Sequence, residues 1–124
     1  MARYKTVVVA DDDAGVRHLV RDTLALGGVP VEVLEAETGA QAVALARRGP
    51  VDLVLLDVGM PELDGLQACR ALKDDPATAG APVVFVSIRS QPAKDALGAG
   101  ASAYLTKPFS PRVLRDTVRR LLEV

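Results

Sequence analysis

The run Leu53-Val54-Leu55-Leu56 closes on Asp57 and is followed at once by Val58-Gly59-Met60-Pro61. Unbroken apolar residues with no polar alternation describe a strand covered on both faces, which is the signature of a parallel sheet sandwiched by helices. A carboxylate where such a strand stops, before a Gly/Pro loop, lies on the sheet edge where α/β proteins bind their ligands. Two other segments end the same way. Val7-Val8-Val9-Ala10 runs into Asp11-Asp12-Asp13, and Ala103-Tyr104-Leu105-Thr106 runs into Lys107-Pro108. Carboxylates and a lysine converging on one edge suggest a metal and phosphoryl-transfer site.

The apolar period alternates between strand and helix along the chain. Strands are expected at Thr6–Ala10, Val31–Glu35, Leu53–Leu56, Val83–Val86 and Ala103–Leu105. A first helix carries the stripe Val16, Leu19, Val20, Thr23 and Leu24 and stops at Gly27-Gly28. Thr38 caps a second helix that starts near Gly39 and ends at Arg47-Arg48-Gly49-Pro50. Leu66, Cys69, Ala71 and Leu72 share one face of a third, which ends before Asp75-Pro76. Ser90 and Pro92 open a short fourth helix stopped by Gly98 and Gly100. Val113, Leu114, Thr117, Val118, Leu121 and Leu122 stripe a C-terminal helix. Repeated strand–helix units imply right-handed crossovers and a doubly wound α/β sheet with helices on both faces. The charged Val31–Glu35 strand suits an edge, whereas the purer runs at Thr6–Ala10, Leu53–Leu56 and Val83–Val86 suit the centre. Ala77–Pro82 reads as the longest loop, on the surface.

A chain of 124 residues fits one domain, 1–124, with no output domain attached. The net charge of -1 offers no electrostatic reason to bind nucleic acid or an anionic membrane. No segment has the apolar length of a membrane span or the core of a signal peptide. The single cysteine, Cys69, forms no intrachain disulfide and falls on an apolar helical face. A cytoplasmic protein is expected. His18 lies on the polar side of the first helix with Arg17 and Arg21, a solvated place rather than that of a phosphocarrier.

Crowded carboxylates resist ionising unless a cation neutralises them. Magnesium suits the donors, because it keeps several waters and takes one or two carboxylates together with phosphate oxygens. A carboxylate beside such an ion is also a nucleophile toward phosphorus, with metal and lysine stabilising the charge on the transferred group.

These residues, with Met60-Pro61-Glu62-Leu63-Asp64-Gly65, Ser87 and Tyr104-Leu105-Thr106-Lys107-Pro108-Phe109, resemble the receiver domain of two-component response regulators, in the stand-alone, CheY-like form. The resemblance covers nearly the whole chain and implies a flavodoxin-like sheet of strand order 2-1-3-4-5. It makes Asp57 the phosphoacceptor, with Mg2+ held directly by Asp12, mainly through water by Asp11, and by the backbone carbonyl of Gly59 as well as Asp57. It pairs Lys107 with the phosphoryl group and implies a cis Lys107-Pro108 bond. Ser87 stands at the switch hydroxyl and Tyr104 at the switch aromatic, so that phosphorylation shifts the population toward an inward arrangement of both. The partners implied are a histidine kinase or histidine phosphotransfer protein upstream. Downstream, an unnamed protein target reads the face of the fourth helix, fifth strand and fifth helix of a monomer or weak dimer. The resemblance further implies a signalling protein whose only chemistry would be its own phosphorylation and dephosphorylation.

Two departures from the family pattern stand out. Ile88 follows the switch hydroxyl where the family has a small residue, and a branched side chain there narrows access to Asp57. The stretch from Ser87 to Tyr104 is about two residues shorter than usual, leaving a fourth helix of barely two turns. Competing readings fare worse. An aspartyl-phosphate phosphatase of the haloacid-dehalogenase type needs a second Asp where Gly59 stands, and no G-x-x-x-x-G-K-[ST] loop is present. A pseudo-receiver that binds partners without phosphorylation is the remaining alternative.

Overall fold

The computed structural model describes residues 4–60, 64–88 and 100–124. In chain order these form β1 (Lys5–Ala10), α1 (Ala14–Leu26), β2 (Val31–Ala36), α2 (Gly39–Arg48), β3 (Leu53–Asp57), α3 (Gly65–Asp74), β4 (Val83–Ile88), β5 (Ala103–Lys107) and α4 (Pro111–Leu122). The strands make a five-stranded sheet of order β2-β1-β3-β4-β5, and every pairing is parallel. The charged β2 is an edge strand and β1, β3 and β4 are central, as their composition predicts.

Side-chain alternation divides the core into two layers. Val8, Ala10, Val54, Leu56, Val83 and Phe85 pack under α2 and α3. Val7, Val9, Leu53, Leu55, Val84, Val86 and Leu105 pack under α1 and α4. All four apolar residues of β3 are 0% exposed, which explains their lack of polar alternation. Burying each such side chain contributes about 1.5–3 kcal/mol before the entropy of ordering the chain is counted. Cys69 is fully buried against the first layer.

Each described helix begins on a side-chain cap. Asp13, Thr38, Asp64 and Ser110 accept from backbone N–H groups at the starts of α1, α2, α3 and α4, and Asp64 and Gln67 cap reciprocally.

Several details differ from the periodicity. The strands run one or two residues beyond their apolar runs because backbone pairing continues where the side chains turn polar. On α1 the buried stripe is Arg17, Val20 and Leu24, so Leu19 is left 48% exposed. Arg17 therefore does not share the solvated side of His18. On α4, Val113 is 49% exposed while Leu114, Val118 and Leu122 face the sheet. In the 77–82 loop, Thr78 turns inward: its hydroxyl donates to the Leu72 carbonyl at 2.6 Å, and Lys73 ties down the carbonyls of Ala79 and Ala81. The expected fourth helix between Ser90 and Gly98, like Pro61-Glu62-Leu63, lies outside the described residues.

Candidate metal and phosphoryl-transfer site

The site occupies the C-terminal edge of the sheet, and its members arrive there in phase. Asp57 and Lys107 continue the alternation of Leu53/Leu55 on β3 and Ala103/Leu105 on β5, on the α1/α4 side. Asp11 leaves β1 directly, its N–H still paired with the Ala36 carbonyl of β2 at 3.1 Å. Asp11, Asp12 and Asp57 present carboxylate oxygens that all lie within 4.8 Å of one another. Lys107 reaches across from β5, with Nζ 2.7 Å from Asp11 Oδ2 and 3.5 Å from Asp57 Oδ2.

The carboxylates have different settings. Asp11 is 2% exposed and receives, besides Lys107, the Asp13 N–H on its Oδ1 at 2.9 Å. Asp12 is exposed and faces solvent beside it. Asp57 is half-buried and accepts from the Gly59 N–H at 3.1 Å. Asp13 is no part of the cluster, since its side chain caps α1 through the Gly15 N–H.

Burial raises the Asp11 carboxyl above its ordinary pKa and the charge of Asp57 adds to it, while the hydrogen bonds from Lys107 and Asp13 only partly oppose them. Burial alone would lower the Lys107 amine, but its hydrogen bond to Asp11 and the charges of Asp11 and Asp57 outweigh this and hold it above its ordinary value. A salt-bridged carboxylate is normally depressed, and at Asp11 burial outweighs the salt bridge. One ammonium does not neutralise three carboxylates. The donor set, all hard oxygen with an exposed carboxylate at its rim, fits a magnesium ion: Asp11, Asp12 and Asp57 would hold it.

Ser87 and Tyr104 belong to the opposite phase. Phe85 pairs with Tyr104 and Ser87 with Thr106, which puts Ser87 and Tyr104 diagonally adjacent on the α2/α3 side. Ser87 is 2% exposed, one residue beyond the Val86 that pairs with Asp57. Tyr104 is half-buried against the layer that contains Phe85. The Lys107-Pro108 bond is cis. The backbone of Ile88 pairs with Lys107, and its side chain lies outside the described residues.

Two residues escape periodicity and composition. Gly65 opens α3 so close to β3 that a Cβ would sit 2.5 Å from the Asp57 carbonyl oxygen and 2.8 Å from Val58 Cα. The other is Arg17, buried beneath the Asp11–Asp12 loop. The signal for it was the pair of charges Glu35 and Glu37 at the end of β2, which ask for a cation across from them.

Residues 7–119 match the response regulator receiver domain family. Among curated proteins, the transcriptional regulatory protein ResD of Bacillus subtilis is 36% identical over 118 residues, covering 94% of this chain and 47% of ResD. The chemotaxis protein CheY of Bacillus subtilis is 35% identical over 118 residues, covering 94% of this chain and 96% of CheY. The chain thus spans about half the length of ResD and nearly all of CheY. Among solved structures, chemotaxis protein CheY4 of Vibrio cholerae superposes with a TM-score of 0.87 at 30% identity, over 97% of this chain and 100% of that one.

Proposed function

The chain belongs to the response regulator receiver domain family, the phosphorelay signalling modules, and from that membership we propose that Asp57 accepts a phosphoryl group in a magnesium-dependent reaction. The observation that carries this reading is the position of Lys107 Nζ, 2.7 Å from Asp11 and 3.5 Å from Asp57. A cation is already placed beside the nucleophile, and two further carboxylates stand ready for a metal.

In the proposed reaction an Asp57 carboxylate oxygen attacks phosphorus in line with the leaving group. The bond from phosphorus to the donor histidine nitrogen, or to the acyl oxygen of a small donor, breaks as the aspartyl-phosphate bond forms. Lys107 exchanges part of its hold on Asp11 for a phosphoryl oxygen and balances the charge there. Asp12, Asp57 and the Gly59 carbonyl would hold magnesium directly and Asp11 mainly through water, and the ion would supply charge that neutralises the acidic edge and stabilises the equatorial oxygens of the transferring group. Water later cleaves the phosphoryl group and restores the carboxylate. The Ser87 hydroxyl follows the phosphoryl oxygen and Tyr104 follows Ser87, because the two share one face of neighbouring strands. A histidine kinase or phosphotransfer protein supplies the group, and a protein partner reads the changed surface around β5 and the C-terminal helix. Among the described residues no helix is long and apolar enough to cross a membrane.

The deciding experiment is incubation with acetyl phosphate followed by intact mass measurement. A gain of one phosphoryl group is expected with magnesium, and none with a chelator or in Asp57→Asn. If the wild-type protein takes up no phosphoryl group from a small donor or from any histidine kinase, the module binds partners without phosphorylation and the proposal fails. Ile88→Ala tests access to the site: phosphorylation or dephosphorylation should speed up. Equal rates in both directions would remove Ile88 from the site.

A further inference from the structure

Arg17 is the one arginine of α1 that is buried, at 8% exposure, and it bonds both the acidic loop after β1 and the end of β2. Its Nη1 donates to the Asp11 main-chain carbonyl at 2.7 Å, a buried charge-assisted bond. Its Nε donates to Glu35 Oε1 at 3.0 Å, and Glu35 is further held by Arg21 at 2.8 Å. The carbonyl that Arg17 grips belongs to the peptide bond joining Asp11 to Asp12. On the other side of Asp11, the N–H is fixed by the Ala36 carbonyl. Asp11 is therefore held on both sides, its preceding peptide by β2 and the Asp11–Asp12 peptide by Arg17 of α1, although Asp12 itself is exposed and lies outside the strand. The plane of the Asp11–Asp12 peptide sets the direction in which the Asp12 side chain leaves the backbone.

We propose that Arg17 is a positioning residue for the magnesium site: by fixing the Asp11–Asp12 peptide it pre-aims the Asp12 carboxylate, with Glu35 serving to hold and neutralise the guanidinium. The inference rests on the reading that this acidic edge binds magnesium. The alternative is a strut that only joins α1 to the end of β2. Charge and position have opposite signs here, which makes the two separable. Losing a nearby cation strengthens attraction of a second cation, whereas loosening a ligand weakens it.

The test uses the full chain and magnesium alone, with affinity from amide-shift titration and foldedness from thermal melts in chelator. The paired variant Arg17→Met/Glu35→Gln removes both charges and leaves the net charge unchanged. It should melt cooperatively and bind magnesium about tenfold more weakly. Glu35→Gln alone keeps Arg17 but loosens its hold, so its magnesium affinity should fall between those of wild type and the paired variant. Should the paired variant fail to fold, Arg17→Lys keeps the charge but lacks the guanidinium fork, and it too should bind magnesium more weakly. Wild-type affinity in whichever variant is folded, or tighter binding, reduces Arg17 to a strut and overturns the inference. If the wild-type protein binds no magnesium, the reading of the acidic edge fails first and the inference falls with it.

Discussion

Lys107→Met should destabilise the metal-free protein at neutral pH by about 2 kcal/mol, and the loss should shrink as the pH falls. The lysine is the one side-chain cation that the described structure places within salt-bridge distance of Asp11, whose side chain is 3% exposed. Breaking a buried pair by removing one partner costs about 3–5 kcal/mol, and the 22% exposure of the Lys107 side chain screens part of that. The sign with pH follows from Asp11. Its folded pKa already stands above the unfolded one, so ionised Asp11 works against folding at neutral pH. That penalty disappears as the pH falls through the folded pKa, and without Lys107 it is larger to begin with. Lys107 contributes in the other direction: its folded pKa is raised, so its stabilisation is complete below the ordinary value of 10.5 and is lost as the pH rises through the folded value. A urea series from pH 7 down through pH 4 in chelator measures this, and a deficit constant across the whole series would exclude Asp11 as its source. Magnesium should recover part of the stability by supplying the missing charge. Phosphorylation should not recover with it. The variant keeps Asp57 but lacks the amine that meets the transferred group, and the rate should fall about 10²-fold.

The sheet was legible because burial on two faces leaves a plain mark, as in Leu53-Val54-Leu55-Leu56, and the charges of β2 marked its edge. The cluster of Asp11, Asp12, Asp57 and Lys107 was legible because each polar residue follows directly on an apolar strand, and parallel strands all end on the same edge. Arg17 and Leu19 were not. The apolar stripe of α1 gave its rotation only to within one residue, and a buried arginine breaks the pattern used to find the buried face. Its burial depends on Glu35 and on the Asp11 carbonyl, partners from other elements that no local window contains. The inward turn of Thr78 has the same cause, since its hydroxyl is satisfied by the end of α3.

Gly65→Ala is the smallest change expected to damage the site without touching a charged residue. The added methyl would meet the Asp57 carbonyl oxygen at 2.5 Å and Val58 Cα at 2.8 Å, both main-chain atoms of the segment that bears the phosphoacceptor. Neither is the end of a flexible side chain, so relief requires α3 to lift from β3 or the Asp57–Val58 backbone to shift. Lifting α3 opposes the packing of Ala68, Cys69 and Leu72, all within 1% of full burial. It also strains the Gly65 N–H bond to the Val58 carbonyl at 3.2 Å. Overpacking of this kind costs about 1–3 kcal/mol, and clashes with unyielding main-chain atoms of Asp57 and Val58 place this variant toward the upper end. The backbone shift carries a second cost, because a displacement of about 1 Å at a reacting group slows transfer by about 10²-fold. Magnesium affinity offers the comparison: Asp11 and Asp12 leave β1, which α3 does not clamp, so the ion should still bind, though more weakly, because the Asp57 and Gly59 side of the site is disturbed. Retained magnesium binding with slow phosphorylation from acetyl phosphate is the expected pattern. Wild-type phosphorylation in Gly65→Ala would mean that the start of α3 yields freely, and that the phosphoacceptor does not depend on the close approach of this helix.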